Sequence, residues 1–60
     1  MALDTHTDPH VRAVELIELY GRKALQHTVD LIQAAVRRDD NLAADYFGQT
    51  LRAIEQKLYS

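Results

Sequence analysis

The segment RRDDN at residues 37–41 is the feature that most constrains the fold of this chain. It separates two stretches in which apolar residues recur every three or four positions, the spacing typical of amphipathic helices. Two arginines suit the negative end of a helix, and the acids and asparagine after them suit a turn and a new N-cap. Helices joined by about three residues must run antiparallel. The sequence therefore predicts an all-α fold, an antiparallel helical hairpin with helices at about 9–38 and 41–59.

The apolar residues of the two predicted helices agree in register. A turn centred near residue 40 places Phe47 opposite Ile32 and Ile54 opposite Leu25. Pro9 suits the first helical position, with Thr7 or Asp8 as its cap. We expect a mobile leader at residues 1–8 and a single domain at residues 9–60.

The predicted first helix is longer than the second, about 45 Å against about 28 Å at the usual rise per residue. The overhang, about three turns long, is apolar over most of its circumference, because Leu16 and Leu19 lie off the row formed by Val14 and Ile17. Such an apolar segment must be buried against other protein surface, and this chain has no third element to bury it. The sequence therefore predicts a homodimer, most simply a four-helix bundle. The predicted interface residues are Val11, Val14, Leu16, Ile17, Leu19, Tyr20, Phe47, Leu51, Ile54 and Leu58.

Gly21 leaves two interpretations of the first helix open. Glycine in a continuous helix permits close packing, here against Leu58 or Tyr59, at a cost of about 1 kcal/mol relative to alanine. Alternatively Gly21 breaks the helix, and the first segment folds back as a third helix. The helix-forming residues that follow Gly21 favour the continuous helix.

Composition excludes several classes of function. The chain of 60 residues has no cysteine and a net charge of −2, which exclude disulfides, thiolate chemistry and a strongly basic nucleic-acid binder. Neither a signal peptide nor an apolar run long enough to span a membrane is present, and we expect a cytoplasmic protein. Without a phosphate-binding loop, a nucleophile motif or a pocket, we expect no enzyme and no cofactor. Glu18 at the edge of the apolar face is more simply explained by pairing with Arg22.

The three histidines give only a weak case for a metal site. His6 and His10 are four residues apart with Asp4 and Asp8 nearby, but Pro9 and the expected leader deny them a rigid helical face. His27 lies roughly 25 Å further along the helix. We therefore expect solvated histidines and no metal.

Basic residues on the first helix offer a nucleic-acid alternative. Arg12, Lys23 and Arg37 lie on one outer face with Arg22 adjacent. Asp30 interrupts that face and Glu15 flanks it, which favours an ordinary solvated surface. The expected function is a small protein–protein interaction or regulatory module, and the alternative is an RNA-binding regulator.

The layout resembles the Rop (Rom) family of plasmid copy-number regulators, which are homodimeric four-helix bundles that bind paired RNA loops. The local likeness lies in the second half, at Ala44-Asp45, Leu51 and Leu58-Tyr59, with spacings that differ by one residue. The segments IELYG at residues 17–21 and AADYFGQTLRAIE at residues 43–55 also resemble short uncharacterised bacterial helical-hairpin proteins. These resemblances imply an architecture and carry no activity with them.

Overall fold

The computed structural model describes residues 7–59, which form three helices and, within that range, no strand. They are α1 (Pro9–Tyr20), α2 (Lys23–Arg37) and α3 (Asn41–Tyr59). The all-α prediction and the helix at 41–59 are confirmed. The prediction of a single helix at 9–38 is wrong, since two helices occupy that range. The predicted leader falls largely on residues 1–6, which lie outside the described residues.

The start of α1 follows from its first residues. The Asp8 side chain accepts a hydrogen bond of 2.8 Å from the backbone N–H of His10. Pro9 occupies the first turn, where its missing N–H leaves no helical bond unmade. Asp8 is therefore the cap, one of the two residues predicted for that role.

Gly21 ends α1, and this is why the predicted continuous helix is divided. Its backbone has φ 59° and ψ −134°, a conformation that residues with a Cβ adopt only under strain. The Gly21 amide donates to the carbonyl of Ile17 at 2.7 Å and completes α1, and the Ala24 amide donates to the Gly21 carbonyl at 3.0 Å at the start of α2. Gly21 therefore breaks the predicted first helix, as the second of the two interpretations required.

The turn between α2 and α3 satisfies the ends of both helices. The amides of Asp39 and Asp40 donate to the carbonyls of Val36 and Ala35 at 3.0 and 2.8 Å, the pattern of a Schellman motif. Asp39 has φ 56°, the left-handed conformation which that motif requires. The Asp40 side chain accepts from the Ala43 amide at 3.1 Å and caps α3. The predicted turn and second cap are both present.

The three helices pack up, down and up, with α1 folded back along the other two. Leu16 packs with Ala24 at the start of α2 and with Ile54 late in α3, so α1 runs parallel to α3 and antiparallel to α2. The core has two parts. Near the Gly21 end it contains Ala13, Leu16, Ala24, Ala53 and Ile54 with Ile17, Leu25 and Leu58 at its edge. Near the α2–α3 turn it contains Ala35, Ala43, Tyr46 and Phe47 with Leu31, Ile32 and Ala44 at its edge.

Two threonines are fully buried in this small bundle. Thr28 and Thr50 each donate their hydroxyl to the carbonyl four residues earlier, at 2.7 and 3.0 Å respectively. Within residues 7–59 no buried side-chain polar atom lacks a hydrogen-bond partner. The hydroxyls therefore enter the core without an unpaired group.

Candidate interaction surface

The predicted interface residues fall into three classes of burial. Leu16, Phe47 and Ile54 are buried. Ile17, Leu51 and Leu58 are half-buried at the edges of helices that pack together. The exposed members are all on α1: Val11, Val14, Leu19 and Tyr20.

The position of Leu16 corrects one expectation. Leu16 was predicted to lie outside the intramolecular stripe together with Leu19, yet it is 7% exposed and packs in the core with Ala13 and Ile54. The correction has one cause, the break at Gly21, which folds α1 back so that Leu16 faces the other helices. Leu19 remains 73% exposed, as predicted.

The exposed apolar side chains of α1 do not form one continuous patch. At about 100° per residue, Glu15 and Glu18 lie on the helix surface between Leu19 and Val14. Arg12 pairs with Glu15 at 3.0 Å on the same outer side. The outer surface of α1 is therefore mixed, and the predicted apolar overhang is reduced to scattered residues.

Helix α2 carries an apolar row that the sequence argument did not select as an interface. Its fully buried positions hold small side chains, Ala24, Thr28 and Ala35. A neighbouring row with steps of four, three and four holds larger ones that are partly exposed, and Val36 is 59% exposed. This row consists of Leu25, Val29, Ile32 and Val36. The larger apolar side chains of α2 thus lie at the edge of the bundle.

Helix α3 continues this row on the adjacent side. Leu58 packs at the edge of the same core cluster as Leu25, and Ala44 at the edge of the same cluster as Ile32. Steps of four and three from Ala44 lead through Gly48 and Leu51 toward Leu58. We name the combined area the α2–α3 surface: Leu25, Val29, Ile32, Val36, Ala44, Gly48, Leu51 and Leu58.

Charged residues border the α2–α3 surface at the Gly21 end. Arg22 precedes Leu25 by three positions on the row of α2, and Glu55 lies between Leu51 and Leu58 on the row of α3. Both side chains are exposed. The surface therefore has an apolar centre that is bordered by Arg22 and Glu55 at this end and by Arg52 beside Gly48.

The predicted nucleic-acid residues are divided by the break at Gly21. Arg12 lies on α1, whereas Lys23 and Arg37 stand at opposite ends of α2, about 21 Å apart by helical rise. Arg22 is in the turn between the two helices. Because α1 folds back, Arg12 does not extend the basic face of α2, and the single face expected from the sequence is not formed.

The remaining candidates for chemistry are separated as well. His27 stacks on Tyr20 with ring centroids 4.4 Å apart, while His10 and Glu18 are exposed. Within residues 7–59 no group of three histidine, cysteine or acidic side chains is placed to hold a metal ion. His6 and Asp4 of the weak metal hypothesis lie outside the described residues.

A shallow depression of about 320 Å³ lies on the outer side of α3 over Gly48. Its lining also includes Ala44 and Arg52, and the Gln49 amide donates to Asp45 across it at 3.1 Å. The depression is open, and no side chain there has the geometry of a nucleophile and its base.

None of the described helices is long and apolar enough to cross a membrane.

Comparison with known proteins gave no match: no family model, no curated protein and no solved structure is similar to this chain.

Proposed function

We propose that the protein is a small non-enzymatic protein–protein interaction or regulatory module that acts as a homodimer. The observation that supports this proposal is the arrangement of α2, which turns small side chains inward and leaves Leu25, Val29 and Ile32 half-exposed with Val36 largely exposed. A chain of this length buries only about 60% of the surface that it exposes when unfolded. Covering the α2–α3 surface would add apolar burial worth about 25 cal/mol for each Å².

The occupant that we propose for the α2–α3 surface is a second copy of the chain. A two-fold axis parallel to the helices would place α2 of one copy beside α3 of the other, so that the two hairpins form a four-helix bundle. Arg22 and Glu55 lie at similar levels, since Ala24 and Ile54 share a core cluster. In this arrangement each Arg22 approaches the Glu55 of the other copy.

In such a dimer α1 lies on the outside and remains available to a further protein. Its exposed residues Val11, Val14 and Leu19 would supply the contacts, as first suggested by the apolar overhang. The absence of cysteine from the sequence suits a reducing compartment, and we place the module in the cytoplasm.

Substitution at the centre of the α2–α3 surface tests the proposal. Val29→Lys places a charge in the interface and should convert a dimer to a monomer in sedimentation equilibrium at about 100 µM protein, while circular dichroism keeps its helical signal. Ala34→Lys is the matched control, because Ala34 is exposed on α2 about 140° around the helix from Val29. A wild-type protein that sediments as a monomer at that concentration would exclude the homodimer.

An RNA-binding regulator is the alternative function. The observation in its favour is that Arg22, Lys23 and Arg37 are all exposed. Filter binding to RNA hairpins at two salt concentrations decides it, because neutralising several phosphates makes affinity fall steeply with salt. The double change Lys23→Gln and Arg37→Gln should then weaken binding at least tenfold without altering the dimer, because neither residue belongs to the α2–α3 surface.

A further inference from the structure

We infer that Gly21 is a hinge through which two copies of the chain exchange α1. In the closed form described above, α1 packs on its own α2 and α3. In the open form, α1 and α2 join into one straight helix, and α1 occupies the corresponding site on a second copy. This inference concerns the site under α1 and is independent of the α2–α3 surface.

The phase of the buried residues is the first argument. Ile17 in α1 and Ala24 in α2 are seven residues apart, which is about two helical turns. A straight helix would therefore place Ala13 and Ile17 of α1 on the same face as the buried residues of α2, with Leu16 about 100° from the centre of that face. Two helices separated by a turn can bury unrelated faces, whereas a continuous helix must bury the same face along its whole length. That common face comprises Ala13, Ile17, Ala24, Thr28 and Ala35.

The turn itself is the second argument. It consists of Gly21 and Arg22, both exposed, and the Arg22 side chain makes no capping hydrogen bond to α2. The Gly21 amide already donates to the Ile17 carbonyl in the helical manner. Rotation about the backbone of Gly21 toward helical values would let the amides of the following residues bond four residues back. Both conformations are allowed at this position, since glycine populates positive and negative φ about equally.

The contacts that hold α1 in place are the third argument. α1 contributes two buried residues, Ala13 and Leu16, and the chain before it is held by a hydrogen bond from the Tyr46 hydroxyl to the Thr7 carbonyl. A second copy offers identical partners for each of these contacts, so exchange replaces them one for one. The Tyr20–His27 ring stack is different, because residues seven apart in a straight helix lie about 10 Å apart along its axis. Loss of that stack is a signature of the open form.

Substitution at Gly21 tests the hinge. Gly21→Ala disfavours the φ of 59° that the closed form requires and supports a helix, so it should increase the fraction of chains in the open form at least tenfold at equal concentration. Gln56→Ala is the control, because Gln56 is exposed on α3 and lies outside both the turn and the α2–α3 surface. The control should leave the open fraction unchanged.

Distances within one chain identify the open form. His10 and Gln33 are exposed and equally distant in sequence from the turn, and the chain has no native cysteine to compete for labels. Spin labels on His10→Cys and Gln33→Cys, diluted with unlabelled protein, should report neighbouring helices in the closed form. In the open form the same backbone positions are about 35 Å apart. The His27 ring protons should lose the upfield shift caused by Tyr20 in the same sample.

Each outcome decides the inference. A Gly21→Ala dimer with the long distance supports exchange. A dimer that retains the short distance overturns exchange and leaves the α2–α3 surface as its interface, and a folded monomer with the short distance also overturns it. If Gly21→Ala does not fold, the wild-type chain carrying the same labels is refolded at millimolar concentration. A dimeric fraction with the long distance then supports exchange, and its absence overturns it.

Discussion

The hydroxyl of Tyr46 donates a hydrogen bond of 2.7 Å to the backbone carbonyl of Thr7, across 39 residues of sequence. Tyr46 is itself buried against Phe47, with ring centroids 5.4 Å apart. The bond therefore attaches the segment before α1 to a buried residue of α3. It also fixes the direction of α1, whose first turn lies beside the early turns of α3.

Tyr46→Phe should lower the free energy of unfolding by about 1 kcal/mol, because it removes the hydroxyl and retains the ring. Amide hydrogen exchange should accelerate in the first turn of α1 more than in α3. Tyr59→Phe is the control, since Tyr59 is 75% exposed, and it should change neither quantity. Equal acceleration throughout the chain would contradict a local role for the bond.

Leu16→Ala should destabilise the protein by about 2–4 kcal/mol, because it leaves a cavity among tightly packed side chains. Leu19→Ala, three residues away and largely exposed, should cost less than about 0.5 kcal/mol. Urea denaturation monitored by circular dichroism measures both. Similar midpoints for the two variants would mean that α1 does not pack as described.

Asp39→Gly should stabilise the protein by about 1 kcal/mol, since glycine adopts the left-handed conformation at this position without a steric penalty. The melting temperature should rise by about 4–8 °C for a domain of this size. Asp39→Val should lower it, because a β-branched residue is strained at positive φ. A lower melting temperature for the glycine variant would argue against the Schellman turn.

Asp40→Ala should cost about 1 kcal/mol through loss of the α3 N-cap. Asp40→Asn retains an oxygen that accepts the Ala43 amide and should remain close to the wild type in thermal melting. If both variants lost the same stability, the carboxylate charge rather than the cap would be responsible.

The parts of the fold that sequence predicted correctly are those decided locally. Asp8, Asp39 and Asp40 act within a few residues of their own positions, so cap and turn chemistry locate the ends of the helices. The pairing of α2 with α3 follows from the same turn together with helical periodicity. Phe47 and Ile32 belong to one cluster, and Ile54 and Leu25 to the other, as the predicted register requires.

The break at Gly21 was not predictable on local grounds. A glycine within a helix costs only about 1 kcal/mol, and the residues after it favour helix. The decision comes from burial of Ala13 and Leu16 against α2 and α3, which a local argument does not include. Because the sequence argument left out packing against the other helices, it placed Leu16 outside the core. For the same reason it did not identify the partly exposed row of α2, although the sequence shows this second apolar row beside Ala24 and Thr28.

An odd number of antiparallel helices carries the chain from one end of the bundle to the other. Pro9 begins near the α2–α3 turn, and Tyr59 ends near Gly21, in a molecule whose longest dimension is 32 Å. In copies fused in tandem, the chain would therefore enter each bundle at one end and leave it at the other. A two-helix hairpin would instead return the chain to its starting end, so the break at Gly21 determines at which end of the bundle a fused partner begins.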